Sequence, residues 1–479
     1  MATVIEQKPL YPRLPVGQEM IFSLSNTTIV ATQLKTKFVA YVHISDLFPP
    51  NVSNTTHLVG TFKTTPNNAG VGMFDFRPLL ESYVSPDSLS TFSHSEYKTN
   101  NAGTNHFPIH LVDKYTRSKK VIRYVAIKFG IEHLDSDETS STYNEIIEVD
   151  EAVSDLYEVF DGYVKNSDIL KRNFSYDFGF DMSDFQFQVG ADSKKFLTNA
   201  STTQYANKED YGTLAFLTKD RDQATDPLDN ILLTYKDSAG VTLTTDTVDR
   251  TFSNGAYASS TGGWSRISQA ILYFGCFPGN LRNWSTNFTS NLDDIASYTI
   301  EPRDSSNGTV GQTYTINVNC PDLRGYESVR LCWLNQWGVW DYYTFTKKSV
   351  RMLSTKGSTY EQLGGTWNES LYKPYGFKGG KKAFRVNATE KITMNTDFVN
   401  ESESQWFEEL INSPEVYVLK GYTTEPDASA SLTPLLQNDY VTPVRLTTSS
   451  FTRKTIANDK LMQYTFEVEK SKTLRTQSV

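Results

Sequence analysis

The six histidines, His43, His57, His94, His106, His110 and His133, all lie in the first 133 of 479 residues. Residues 134–479 therefore offer no imidazole for a Ser-His-Asp triad, a Cys-His pair or a His-ligated zinc of their own. His106 and His110 lack the helix and the glutamate of a zincin motif, and Pro108 stands between them, so hydrogen-bonded strand histidines are expected. Cys276, Cys320 and Cys332 contain no CxxC pair, which argues against both a structural zinc and a disulfide scaffold. Asp220, Asp222, Asp226 and Asp229 are close enough to supply oxygens to a calcium ion, but the spacing is not that of an EF-hand and Pro227 interrupts it. A solvated loop is the expectation there. The 55 acidic residues include no pair marked out for glycoside hydrolysis, a pairing that is spatial rather than sequential. Gly262-Gly263 and Gly379-Gly380 lack the frame of a phosphate loop. Lys378–Lys382 with Arg385 is a basic patch too short for a nucleic-acid footprint. No catalytic, cofactor-binding or metal-ligating residue is assigned, and a non-catalytic chain is expected.

The elements that would position any site read as strands. Phe38, Ala40, Val42 and Ile44 alternate with Val39, Tyr41 and His43, and the same period of two recurs at Val125, Ile127, Phe129 and Ile131. Pro78 with Leu79, Leu80 and Tyr83 is the exception, a short buried helical crossover. Residues 1–135 are thus expected to form a β-sandwich of immunoglobulin or fibronectin type. A linker is expected at Leu134–Ser141, followed by a central β domain over 136–348. That domain is expected to take its strands from Phe178–Asp181, Phe185–Val189, Thr213–Leu217, Ile231–Tyr235, Gly240–Thr245, Tyr298–Ile300, Tyr314–Val318, Val329–Trp333 and Trp340–Phe345. Asn335-Gln-Trp-Gly338 is a hairpin turn, and Trp337 at its tip is expected to be exposed, the other tryptophans packing in cores.

Residues 349–479 are expected to form a β domain with one amphipathic helix. Asn400 and Glu403 make a capping box, Trp406/Leu410 and Phe407/Ile411 are i, i+4 pairs, and Pro414 ends the helix, which places it at 401–412. The helix should cover a sheet of Glu415–Leu419, Val444–Thr447 and Met462–Val468, with Gln463, Thr465 and Glu467 on the sheet's second face; an Asn458-Asp459 turn precedes the last strand. This end is expected to be the assembly platform and the first sandwich a peripheral module, dispensable for folding of the rest.

The fold class is therefore all-β: tandem sandwiches followed by a helix-bearing β domain. Apolar residues are only 38% of the chain and aromatics 13%, with Ser, Thr and Asn abundant, a composition suited to small, surface-rich β modules. The net charge of −9 argues against a nucleic-acid partner, whose phosphates call for a basic face. No run approaches the ~18 apolar residues of a membrane span, and the N-terminal Met1–Lys8 has no apolar core of a secretory signal. Chance explains the eleven Asn-x-Ser/Thr triplets, Asn26 and Asn307 among them, in so Asn-, Ser- and Thr-rich a chain.

The hairpin Leu334-Asn-Gln-Trp-Gly-Val-Trp-Asp-Tyr-Tyr-Thr-Phe345 resembles a recurring pattern in structural proteins of tailed bacteriophages. Lys195–Asn199, Glu401–Val418 and Asn458–Val468 are similar to the same group, and together these stretches touch about 195–468 in a patchy way. The resemblance implies a virion protein of the tail, baseplate or adaptor region, made in the host cytoplasm. Its implied partners are other copies of itself and other tail proteins, and it implies no catalytic residues. A receptor- or carbohydrate-binding appendage that meets a host-surface glycan, and a capsid decoration protein, are the alternatives.

Overall fold

A computed structural model describes residues 3–46, 50–90, 107–112, 114–118, 120–165, 182–217, 227–249, 271–319, 325–367, 369–420, 440–452, 454, 462–472 and 474–478. The chain is all-β, with several multistranded sheets and five α-helices among the described residues. The described residues fall into two compact units, one within 1–319 and 334–341 and the other within 320–333, 342–421 and 434–479.

The first unit opens with a sandwich. A three-stranded sheet, Val4–Gln7, Ile21–Ser25 and Val71–Asp75, packs on a six-stranded one. In the latter Arg13–Pro15, Tyr157–Phe160, Ile122–Leu134, Leu34–Ser45 and Leu58–Thr64 lie side by side, and Ile146–Val153 also pairs with Ile122–Leu134. Phe38, Ala40, Val42 and Ile44 enter the core beside Val125, Ile127, Phe129 and Ile131, as the alternation requires. Phe22, Phe74, Phe76, Phe129 and Tyr157 form a ring cluster between the sheets with centroids 5.4–6.4 Å apart. Arg77–Leu80 is the expected crossover helix, with Pro78 in its first turn and Leu80 buried.

The sheet does not end at residue 135. The expected linker is the connection of a hairpin: Leu134 is opposite Ile146, and the Asp135 N–H donates to the Glu145 carbonyl at 2.8 Å. Polar composition marked this segment as a loop, but the returning strand pairs within the same sheet. Tyr115–Arg117 pairs with Ile271–Gly275 in a three-stranded sheet completed by Thr213–Leu217. Removing residues 1–135 would therefore take a strand out of the central region, contrary to the expectation of a dispensable module. A five-stranded sheet, Thr203–Asn207, Tyr314–Asn319, Ser297–Arg303, Asn230–Lys236 and Thr242–Asp249, completes the unit.

The second unit is built on an eight-stranded sheet. Its order is Trp340–Phe345, Val329–Leu334, Val416–Leu419, Val441–Leu446, Thr465–Lys470, Gly380–Asn395 and Ser349–Gln362, with Leu474–Ser478 also paired to Gly380–Asn395. The helix Glu401–Asn412 has the predicted capping box: the Glu403 N–H donates to Asn400 Oδ1 at 2.8 Å and the Asn400 N–H to Glu403 Oε2 at 2.9 Å. Trp406 lies 4.9 Å from Trp333, and Phe407 5.4 Å from Phe466 and 5.0 Å from Tyr343. The covered sheet thus includes two strands that a boundary at 348 assigns to the central domain. Glu409, rather than Ile411, is buried beside Leu410, so the apolar face is narrower than the i, i+4 pairs implied. Gln463 and Thr465 are exposed on the second face, as expected.

Candidate functional site

The hairpin tip 334–341 is a packed internal turn. Trp337 is buried, 2% exposed, with its ring 4.6 Å from Phe185, which corrects the expectation that it faces solvent. Asn335 organises the turn. Its Nδ2 donates to the Leu197 carbonyl at 2.8 Å, and its Oδ1 accepts from the N–H groups of Trp337 at 2.9 Å and Val339 at 3.3 Å. The Asn199 side chain donates to Gln336 Oε1 at 3.1 Å, and Trp340 Nε1 to the Asp87 carbonyl at 2.7 Å. Gly338 has φ +70°, and a Cβ there would fall on the Asp161 carbonyl oxygen. Asn335, Gln336 and Trp340 thus satisfy buried polar groups, and Gly338 permits a close backbone approach. These are folding roles, and they place no reactive group at a surface.

A second location is a cleft of about 210 Å³ on the outer face of the six-stranded sheet, lined in part by Tyr41, His43, Asn54, Lys128, Glu148 and Glu151. Tyr41, His43 and Lys128 are the residues that alternate with the core positions, so pleating turns them outward. Glu148 and Glu151 should face opposite sides of a regular strand. A β-bulge resolves this: Ile131 and Phe129 are two residues apart, whereas their partners Val149 and Ala152 are three apart. Asp150 takes up the extra residue at φ +56°, held by a 3.1 Å bond from Asn26 Nδ2, and both glutamates emerge on the cleft side. Gly130 leaves the room that the Glu148 carboxylate occupies.

The Tyr41 hydroxyl donates to Glu148 Oε2 at 2.5 Å, and this bond to a carboxylate, ahead of burial, pushes the phenol up to about 12. Lys128 Nζ pairs with Glu151 at 2.5 Å. Burial is the largest influence on His43 and lowers its pKa, favouring the neutral ring, whose Nδ1 lies 3.2 Å from the Tyr41 carbonyl. Such a cleft can exchange hydrogen bonds with a polyol across an aromatic edge. Both of its carboxylates are already engaged by Tyr41 and Lys128.

The third location is a long hairpin, 349–395. Ser349–Gln362 pairs with Gly380–Asn395 from Ser349↔Met394 to Gln362↔Gly380, about 45 Å of ladder at 3.3 Å per residue. Val350–Thr359 are all exposed, so this part of the strand is covered on neither face. Side chains nevertheless organise the described residues of 363–379. Thr366 Oγ1 donates to the Leu371 carbonyl at 2.9 Å and accepts the Lys373 N–H at 2.8 Å. Trp367 packs on Tyr372 at 5.2 Å, Tyr375 stacks on Phe377 at 5.4 Å, and Lys378 Nζ lies 5.2 Å from the Tyr375 ring centre. Leu363, Trp367, Leu371, Tyr372 and Phe377 are 56–72% exposed. At the hairpin's base Arg351 binds Glu327 at 2.5 Å and Glu390 at 2.7 Å, and Glu390 also binds Lys470 at 2.6 Å. The basic patch Lys378–Lys382 with Arg385 was visible in the sequence, but not the strand pairing that presents it beside exposed rings.

Cys276 and Cys332 are buried, and burial pushes the Cys332 thiol up, away from the reactive thiolate. His110 is buried against Trp340. Among the described residues no three His, Cys, Asp or Glu side chains are grouped to hold a metal, and no helix is long and apolar enough to cross a membrane. His94, His106, Cys320, Trp264, Gly262-Gly263, Phe178–Asp181, the Asn458-Asp459 turn and Asp220, Asp222 and Asp226 lie outside the described residues.

No family model matches this chain, and no curated protein matches it. Among solved structures it is similar to the native conformation of E. coli alpha-2-macroglobulin, with 7% identity and a TM-score of 0.19. That match covers 82% of this chain and 22% of the macroglobulin, so the chain spans well under two thirds of its neighbour's length.

Proposed function

We propose that this chain is a non-catalytic structural component of a tailed-bacteriophage virion, in the tail, baseplate or adaptor region, assembled as a symmetric oligomer with other tail proteins. One observation carries the reading. The hairpin 349–395 places several aromatic and aliphatic side chains in solvent, and exposed apolar surface of this kind marks a contact site. The 334–341 motif that carries the resemblance is buried and serves the fold, as a structural rather than catalytic role requires. Electron microscopy of phage particles labelled with an antibody against this chain tests the proposal: label at the tail supports it, and absence of the chain from particles refutes it.

The cleft at Tyr41 supports a second reading, a glycan-binding appendage, because it combines an aromatic edge with hydrogen-bonding groups. A screen of host-surface glycans in which Tyr41→Ala abolishes binding would favour it over the first.

A further inference from the structure

The hairpin 349–395 differs in charge from the rest of the molecule. It carries eight Lys and Arg against three Glu, a net +5 within a chain of net −9, which leaves −14 elsewhere. The opposite extreme is 132–158, with ten Asp and Glu and neither Lys nor Arg. Lys8, Arg13, Lys63 and Lys128 pair with four of those acids, Asp155, Glu158, Glu132 and Glu151. Asp137, Glu138 and Glu145 are exposed and have no Lys or Arg partner among the described residues. They lie on or beside the 135–145 connection, next to the exposed side chains of Tyr143 and Ile146. Both surfaces therefore combine exposed apolar groups with unbalanced charge of opposite sign.

We propose that the basic aromatic hairpin of one copy docks onto the acidic 132–158 hairpin of a second copy, giving a head-to-tail contact that closes into a ring. This rests on the oligomeric reading above and names its contact. The partner is another copy because the complementary charge is found on the chain itself. Two different patches meeting make a heterologous interface, the kind that generates rings when the rotation closes. The area fits: covering Leu363, Trp367, Leu371, Tyr372 and Phe377 removes on the order of 600 Å² from one side, against about 800 Å² per partner in a standard interface. The bulge at Asp150 guards the acidic edge strand against strand addition, so the contact is made by side chains.

The test uses the full chain in sedimentation velocity from 1 to about 100 μM, at low and high salt. Wild type should associate at 50 mM salt and weaken at least tenfold at 500 mM, since exposed charges over a Debye length of about 10 Å are screened. Lys378→Glu/Lys381→Glu in the hairpin, or Glu138→Lys/Glu145→Lys in the acidic connection, should each weaken association at least tenfold with unchanged circular dichroism. An equimolar mixture of the two double variants should recover association, because both contacts between unlike chains are compatible: the unaltered basic hairpin of one meets the unaltered acidic connection of the other, and the two charge-reversed surfaces also attract. If wild type and both variants associate equally, the oligomer stands but this contact is wrong. If wild type stays monomeric throughout, both readings are overturned. Salt-sensitive binding to vesicles containing phosphatidylserine by a chain that does not self-associate overturns the proposal in favour of a membrane surface.

Discussion

Gly338→Ala is the sharpest test of the packed hairpin tip. Gly338 has φ +70°, where a Cβ costs on the order of 1–2 kcal/mol in backbone strain alone. The larger cost is positional, because the new methyl would fall on the Asp161 carbonyl. That segment cannot easily yield. The Asp161 N–H donates to the Val121 carbonyl at 2.8 Å and the Tyr163 N–H to the Gln336 carbonyl at 2.9 Å, while a Cβ on Gly162 would itself be 2.8 Å from that same Gln336 oxygen. The turn must move instead, and it holds the Asn335 bonds to Leu197, Trp337 and Val339. Exposing two of these buried groups adds about 1–3 kcal/mol each, so the total is on the order of 3–8 kcal/mol. Gly240→Ala is the control: it has φ +80° with nothing within 4 Å of a Cβ, so it carries the strain without the collision. Urea unfolding followed by tryptophan fluorescence should show Gly338→Ala at least ~2 kcal/mol less stable than Gly240→Ala. Equal midpoints for the two variants would refute the close approach of 161 and 338.

Trp406→Ala empties a site beside Trp333 and should cost about 3–5 kcal/mol, read as a lower unfolding midpoint; a loss below ~1 kcal/mol would mean the helix does not seal the sheet. Glu327 and Glu390 are both held below the usual carboxylate range, Glu327 by the Arg351 guanidinium and Glu390 by Lys470 first and then Arg351. Their folded pKa values lie below the unfolded ones, so their stabilising contribution is complete above the unfolded carboxylate range and is lost as pH falls through the folded values. Protection factors of amides at the 349–395 base, exchange rates referred to the intrinsic rate at each pH, should fall on acidification, and Arg351→Met should remove the Glu327 part of that dependence while Lys470 keeps part of the Glu390 one. Glu148→Gln should bring the Tyr41 phenol down from about 12 toward 10, because the charged acceptor is gone; Tyr41 carbon shifts against pH would show it, and an unchanged titration would refute the pairing.

The strands and the helix were legible because they rest on local rules. Alternation at Phe38–Ile44 meets a two-residue pleat, and Asn400 with Glu403 closes a cap through atoms three residues apart. Gly338 also followed such a rule, as a turn glycine with positive φ. The failures involve partners far along the chain. Trp337 reads as a hairpin tip, and tips are usually wet, yet Phe185 covers it and Leu197 and Asp87 accept bonds from its neighbours. The segment after Leu134 reads as a linker by composition, yet its returning strand joins the sheet it left. Glu148 and Glu151 share a cleft only because one bulged residue, Asp150, resets the pleat. The basic run Lys378–Lys382 was plain as composition; strand pairing over 349–395 is what placed it beside exposed Trp367, Tyr372 and Phe377. Local pattern sets the all-β character, the helix and its caps, and the separation of basic from acidic segments, because periodicity and capping act between residues close along the chain and charge is carried by residue type. Tertiary structure alone decided which turns are buried and which hairpin stands uncovered, because burial depends on which distant segments approach, and no local pattern encodes that.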